Sequence, residues 1–162
     1  MNYLWLTLKH KWYVLVYGLK IGCPLWRLIT HDINKLSLAE YPAYQKQFFG
    51  TKDDQLGFQT AWLHHQNRED HHPEYWMQRT AHDRGNPRGN DYTPLPMPEG
   101  AVLEMLADWQ GASHAYGGKP VDVTNWPWLD KSWRKTSGMM HGDTKKLVMK
   151  ILFRMGRKYL CP

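Results

Sequence analysis

Apolar residues recur every three or four positions along most of this chain, and nowhere do β-branched residues run in alternation. That spacing places them on one face of a helix, so the sequence predicts an all-α bundle. Residues 3–21 carry Leu4, Leu8, Trp12, Leu15, Val16 and Leu19, the expected inner face of a first helix. Gly22 reads as its stop, and Pro24 opens a second helix over 24–35 with Leu25, Leu28, Ile29 and Ile33 on one face. Ser37-Leu38-Ala39-Glu40 has the form of a capping box, predicting a third helix from Ser37 to about Phe49. A turn at 50–54 precedes a helix over 55–67, with Phe58, Ala61, Trp62 and His65 on one stripe. A short helix is expected from His71 to Arg79. Pro98-Glu99 opens a longer one to about Ala115, with Val102, Met105, Leu106 and Trp109 inward. The last helix, 143–160, sets Leu147, Ile151, Leu152 and Met155 against Lys145, Lys146, Lys150, Arg154, Arg157 and Lys158. Residues 83–98 and 117–128 are rich in Gly, Pro, Asn and Asp and read as long irregular loops.

The chain has 162 residues, which suits a single domain over 1–162. Lysine and arginine number 21 against 15 acidic residues, a net charge of +6. That balance fits an anionic partner such as a nucleotide, a nucleic acid or a phosphate ester, and equally fits simple solubility. The two cysteines, Cys23 and Cys161, exclude a disulfide framework and a cysteine-rich zinc fold. They suit a reducing cytoplasm. Lys9, His10, Lys11 and Lys20 interrupt the most apolar stretch, so no membrane span is expected and a cytoplasmic location is. Lys9, Lys11 and Lys20 read as a solvated face, and His82, His114 and His141 as surface residues. Trp12, Trp26, Trp62 and Trp109 are expected in the core with Cys23. Trp126 and Trp128 either pack there or cover a site and stack a base. The basic last helix reads as packed on the bundle with a solvated outer face, nucleic-acid or anionic-membrane binding being the weaker reading.

The remaining histidines are not scattered. His10 lies on the first helix, His31-Asp32 on the second, His64-His65 at the end of the fourth and His71-His72 just beyond it. Asp108 sits among Met105, Leu106 and Trp109, where an unpartnered charge would be costly. Imidazole and carboxylate are ligands for zinc, iron, manganese and related divalent ions. A bundle core holds such a site when each facing helix contributes one or two of them. Between His64 and His65, the second continues the inward stripe.

The order His, His-Asp, His, His-His, Asp resembles the HD superfamily of metal-dependent phosphohydrolases. His31-Asp32-Ile33-Asn34-Lys35 is similar to the His-Asp-Ile-Gly-Lys element of its HD-GYP members, and His71-His72-Pro73-Glu74 to their His-His-Glu with one residue inserted. Tyr75-Trp76-Met77 stands where the GYP tail would follow, so the resemblance extends to the metal site and not to cyclic dinucleotides. A second resemblance is to an uncharacterised family of bacteriophage and bacterial proteins. It rests on His10-Lys11-Trp12, Leu28-Ile29-Thr30-His31-Asp32, Ala61-Trp62-Leu63-His64-His65, His71 to Trp76 and Glu104 to Trp109, within about residues 8–116. It implies a phage or bacterial origin, a bacterial cytoplasm and no particular activity, and leaves 117–162 as an extension.

The HD resemblance implies a first metal held by His10, His31, Asp32 and Asp108, and a second by His65, His71 and His72, with Asp32 bridging. The ions would be one or two of Mn, Zn, Ni, Mg or Fe. Such a pair polarises a phosphoryl group and turns a shared water into hydroxide. Lys35, one turn beyond His31, is the candidate to bind a phosphate oxygen or steady the nucleophile, with Arg68 a further substrate-binding candidate. Asp32 and Glu74 complete the catalytic candidates. Glu74 and Glu40 are also placed to orient ligand histidines through their free ring nitrogens. The implied activity is hydrolysis of a nucleotide or similar phosphate ester. The same scaffold also serves di-iron oxygenases, and a non-enzymatic phage accessory protein that binds a host factor would use the metal only to hold its fold.

Overall fold

The computed structural model describes residues 2–79 and 92–157. The chain is predominantly α-helical, with α1 (Tyr3–Ile21), α2 (Leu25–Thr30), α3 (Tyr41–Phe49), α4 (Gln55–Gln66), α5 (Glu99–Gly117), α6 (Pro127–Thr136) and α7 (Gly142–Arg154). Its only described sheet is a two-stranded antiparallel ribbon, β1 (Met77–Arg79) with β2 (Tyr92–Pro94). No described helix is long and apolar enough to cross a membrane. His82, Cys161, Lys158 and the expected loop between 83 and 91 lie outside the described residues.

Helix α5 is the axis of the molecule. It is buried on most sides, with Ala101, Val102, Met105, Leu106 and Ala107 fully covered and Trp109 nearly so. One side, from Ala101 to Trp109, takes α6 and α7 through Trp126, Leu129, Val148, Ile151 and Leu152. Its other side takes α1, and the two backbones approach closely at Gly111. A Cβ there would lie 2.6 Å from Val14 Cγ2 and 2.8 Å from the Val14 nitrogen. Tyr3, Tyr44 and Ala61 close a smaller core between α1, α3 and α4.

Helix α1 has the expected length but the opposite rotation. Its buried residues are Tyr3, Thr7, His10, Val14, Tyr17 and Gly18. The apolar stripe faces outward: Leu4, Leu8 and Leu19 are exposed, and so are Trp5 at 65% and Trp12 at 61%. Two contacts set that rotation. His10 enters a polar centre beside α5, and Gly18 admits Leu28, whose Cδ2 would lie 2.3 Å from any Cβ at that position. Lys9 and Lys11 are consequently not a solvated face. Lys9 Nζ donates to the Ala115 carbonyl at 3.1 Å, and Lys11 Nζ donates to the carbonyls of Ile29 and His31. Leu25, Trp26, Ile29 and Ile33 are likewise exposed, leaving Leu28 as the buried anchor of α2. Trp12 and Trp26 are therefore surface residues rather than core, while Trp109 and Cys23 are buried as expected.

Other boundaries shift for local reasons. Helix α2 ends at Thr30 rather than 35, because His31 leaves the helical region with ψ of 128° and Asp32 is left-handed with φ of 54°. The chain then makes a tight 3-10 turn over Ile33–Leu36. The capping box does not form, and α3 starts at Tyr41. Glu40, its would-be reciprocal partner, gives both carboxylate oxygens to histidines of α4. The expected helix over 71–79 is a 3-10 turn, Pro73–Trp76, running into β1. Residues 127–136, whose first two positions fall at the end of the expected loop over 117–128, form α6. Helix α7 stops at Arg154, and Arg157 turns inward to bind Asp130 at 2.7 Å and the Val123 carbonyl. His114 stacks on Tyr13 and pairs with the Tyr17 hydroxyl, and His141 caps α7.

Candidate metal centre

The break after Thr30 solves a geometric problem. Neighbours on a helix differ by about 100° in direction, so His31 and Asp32 could not both face one point from within α2. With His31 out of the helical region and Asp32 in the left-handed region, both side chains enter the same buried space. His10 arrives from α1, His65 from the last turn of α4, His71 and His72 from the turn after it, and Asp108 from mid-α5. His10, His31, Asp32, His65 and His71 are all at most 2% exposed.

Asp32 stands between two groups. Its Oδ2 lies 3.4 Å from His10 Nε2 and 3.3 Å from His31 Nε2, while Asp108 Oδ1 lies 3.0 and 3.6 Å from the same nitrogens. The two Nε2 atoms face one another at 3.3 Å. Its Oδ1 lies 3.3 Å from His65 Nε2 and 3.7 Å from His71 Nε2. His72 completes that second group, all four ligand atoms falling within 4.8 Å of one another. Two ligands each about 2.1 Å from one ion at tetrahedral angles stand about 3.4 Å apart, and the carboxylate–imidazole pairs of His10, His31, His65 and His71 lie at 3.0 to 3.7 Å. Moreover, Asp32 Oδ1 and the Nε2 atoms of His65, His71 and His72 are buried without hydrogen-bond partners. Orphaned buried acceptors in one place are what a cation satisfies.

The opposite ring nitrogens of His31 and His65 are hydrogen-bonded, which aims their Nε2 lone pairs inward. His31 Nδ1 donates to Glu104 Oε1 at 3.0 Å, and His71 Nδ1 lies 3.4 Å from the same oxygen. His65 Nδ1 donates to Glu40 Oε2 at 3.1 Å. The half-exposed His64 donates to Glu40 Oε1 at 2.7 Å, so His65 is the member of the pair inside the centre and His64 its flank. Glu104 also receives Arg27 Nε at 2.7 Å, and Arg27 binds Asp70. With a guanidinium already on it, Glu104 supports the histidines rather than adding a third ion site to His31 and His71.

Electrostatics follow the same plan. Burial opposes ionisation of Asp32, yet His31, Lys35 and His10 hold its carboxyl well below the usual range. Burial likewise works against Asp108, and His10 and His31 overcome it. Burial would depress His31, but Asp32, Asp108 and Glu104 push it well up. His72 goes the other way. Burial and its neighbours His71 and His65 keep it neutral, the form a metal needs.

Lys35 pairs with Asp32 Oδ2 at the edge of the first group. Arg68 is exposed just past α4. Glu74 has a buried, unpartnered Oε2, and the orienting of ligand histidines falls to Glu40 and Glu104 instead. Glu104 carried a visible signal, since it stands four residues before Asp108 and shares its face of α5. Glu69, which takes Asn34 Nδ2 at 2.7 Å and approaches His71 Nδ1 at 3.8 Å, carried none.

Residues 1–154 match a family of unknown function, DUF5662. The chain is a member of DUF5662. The match runs beyond the expected 8–116 core, so the DUF5662 unit takes in α6 and α7 as well as the histidine centre. No curated protein and no solved structure matches the chain.

Proposed function

We propose that this chain is a metal-dependent phosphohydrolase of HD type, acting on a nucleotide or similar phosphate ester. The observation that carries the reading is Asp32, whose two oxygens each face a separate set of histidine nitrogens in one buried space. His10, His31, Asp32 and Asp108 would hold one divalent ion, and Asp32, His65, His71 and His72 a second. Bound ions would supply a hydroxide at neutral pH and polarise the phosphoryl group. The chain's own residues do the rest. Glu40 and Glu104 fix the imidazole rings, and burial excludes bulk water. Lys35 brings a cation to the rim, where it meets a phosphate oxygen. A purely structural site is closed by its ligands and has no need of that lysine.

Elemental analysis of the purified chain beside a His31→Ala/Asp32→Ala variant tests this reading. Close to two equivalents of divalent metal, lost in the variant, with turnover of phosphate esters, is the expected result. Iron with oxygen consumption and no phosphatase activity would instead favour the oxygenase. Unfolding on chelation with no turnover would favour a structural metal. A folded wild type unable to take up any metal removes the centre altogether.

A further inference from the structure

Helix α6 lies outside the stretch that resembles HD proteins, yet its two ends meet aromatic residues packed on both ligand groups. At its first turn Trp128 meets the Tyr116 ring, centroids 5.6 Å apart, and Tyr116 stacks on His10 at 5.9 Å with only 8° between planes. At its last turn Lys135 Nζ sits 6.0 Å from the Trp62 ring, and Trp62 packs against His65 and His72 at 5.7 and 5.4 Å. The helix therefore runs from beside the first group to beside the second. Leu129 and Thr136 are buried, and Trp133 packs on the main core, so the helix is fixed in place. Trp128, Lys131 and Lys135 follow one another at three- and four-residue steps along a neighbouring face.

That face has a definite chemistry. Lys131 Nζ stands 5.3 Å from the Trp128 ring. Neither Lys131 nor Lys135 meets a carboxylate among the described residues, unlike Lys35, Arg27 and Arg157. Tyr116 keeps 48% of its surface open, with His10 and Trp128 against parts of its ring. Ammonium groups four residues apart suit phosphate oxygens, and an open aromatic ring suits a flat base.

We propose that α6 is the recognition wall of the centre: Lys131 and Lys135 take the phosphate, and Tyr116 with Trp128 stacks the base of a nucleotide. The proposal rests on the phosphohydrolase reading and narrows its substrate to phosphates that carry an aromatic ring. These are specificity-determining residues, since none of them is a candidate metal ligand.

Calorimetric titration of the intact protein with adenosine monophosphate and with ribose phosphate separates the two ideas. Wild type should bind the nucleotide about 10-fold tighter than the sugar phosphate. Tyr116→Ala should erase that preference and leave ribose phosphate unchanged. Lys131→Ala/Lys135→Ala should weaken both ligands about 10-fold, with metal content as in wild type. Equal binding of the two ligands by wild type, or variants that bind as wild type does, would overturn the role of α6. Failure of the hydrolase reading shows elsewhere, as absent turnover in a protein that still makes this distinction between ligands.

Discussion

Asp32 joins two demands at one residue. It is fully buried among five histidines and Lys35, and it holds a φ of 54°, which few side chains other than Asn, Asp and Gly tolerate. Asp32→Asn keeps the backbone tolerance and removes the charge, whereas Asp32→Ala loses both. The Ala variant should therefore melt below the Asn variant by about 1 kcal/mol, roughly 2–4 °C by circular dichroism. Both should lose metal. Cys23 supplies a second residue-level expectation. Burial, with Glu104 nearby, pushes its thiol up to about 11. Its peptide should stay unalkylated at pH 8 until the chain is denatured, as read by mass spectrometry. The ligands were legible in the sequence because histidine is uncommon and a carboxylate amid apolar neighbours is costly. Their supports were less so, because Glu69 looks like any solvated glutamate until the fold brings it to His71.

Helix α5 carries ligand, support and packing on one rod. Burial works against Glu104, but His31 and His71 hold its carboxyl down at about 2 from an ordinary 4.5. A carboxyl depressed in this way stabilises the fold above its ordinary value, and the contribution is lost as pH falls through about 2. Glu104→Gln should thus flatten the acid-unfolding curve of the metal-free chain. It should cost about 3 kcal/mol near neutrality by leaving buried cations underpaired, and weaken metal binding about 10–100-fold in competition assays. Gly111→Ala tests the packing. Its methyl would collide with the Val14 backbone, so a loss of about 1–3 kcal/mol in denaturant melts is expected. The inverted rotation of α1 shows where periodicity misleads. The pattern locates an apolar stripe correctly, but the inward direction is chosen by whatever is harder to place, here His10 and the close approach at Gly18. Helix α6 escaped because Pro127-Trp128-Leu129-Asp130-Lys131 carries few apolar positions and follows a Gly- and Pro-rich stretch.

At the scale of the whole molecule, the candidate centre ties together α1, the α2 break, α4, the turn after it and α5. An ion that binds only the folded chain stabilises it by about 2.7 kcal/mol at one hundred times its dissociation constant. Chelation should therefore lower the melting temperature by several degrees, and His31→Ala/Asp32→Ala should melt alike with and without chelator. The ligands also fall in a fixed order along the chain. One group is complete once His72 has been made, whereas the other lacks its second carboxylate until Asp108. A ribosome synthesises the first set well before the second, and α1 meets α5 only after both have left the exit tunnel. The order of synthesis therefore makes one group's ligands available before the other's, with Asp32 shared between the two and Asp108 the last ligand to appear.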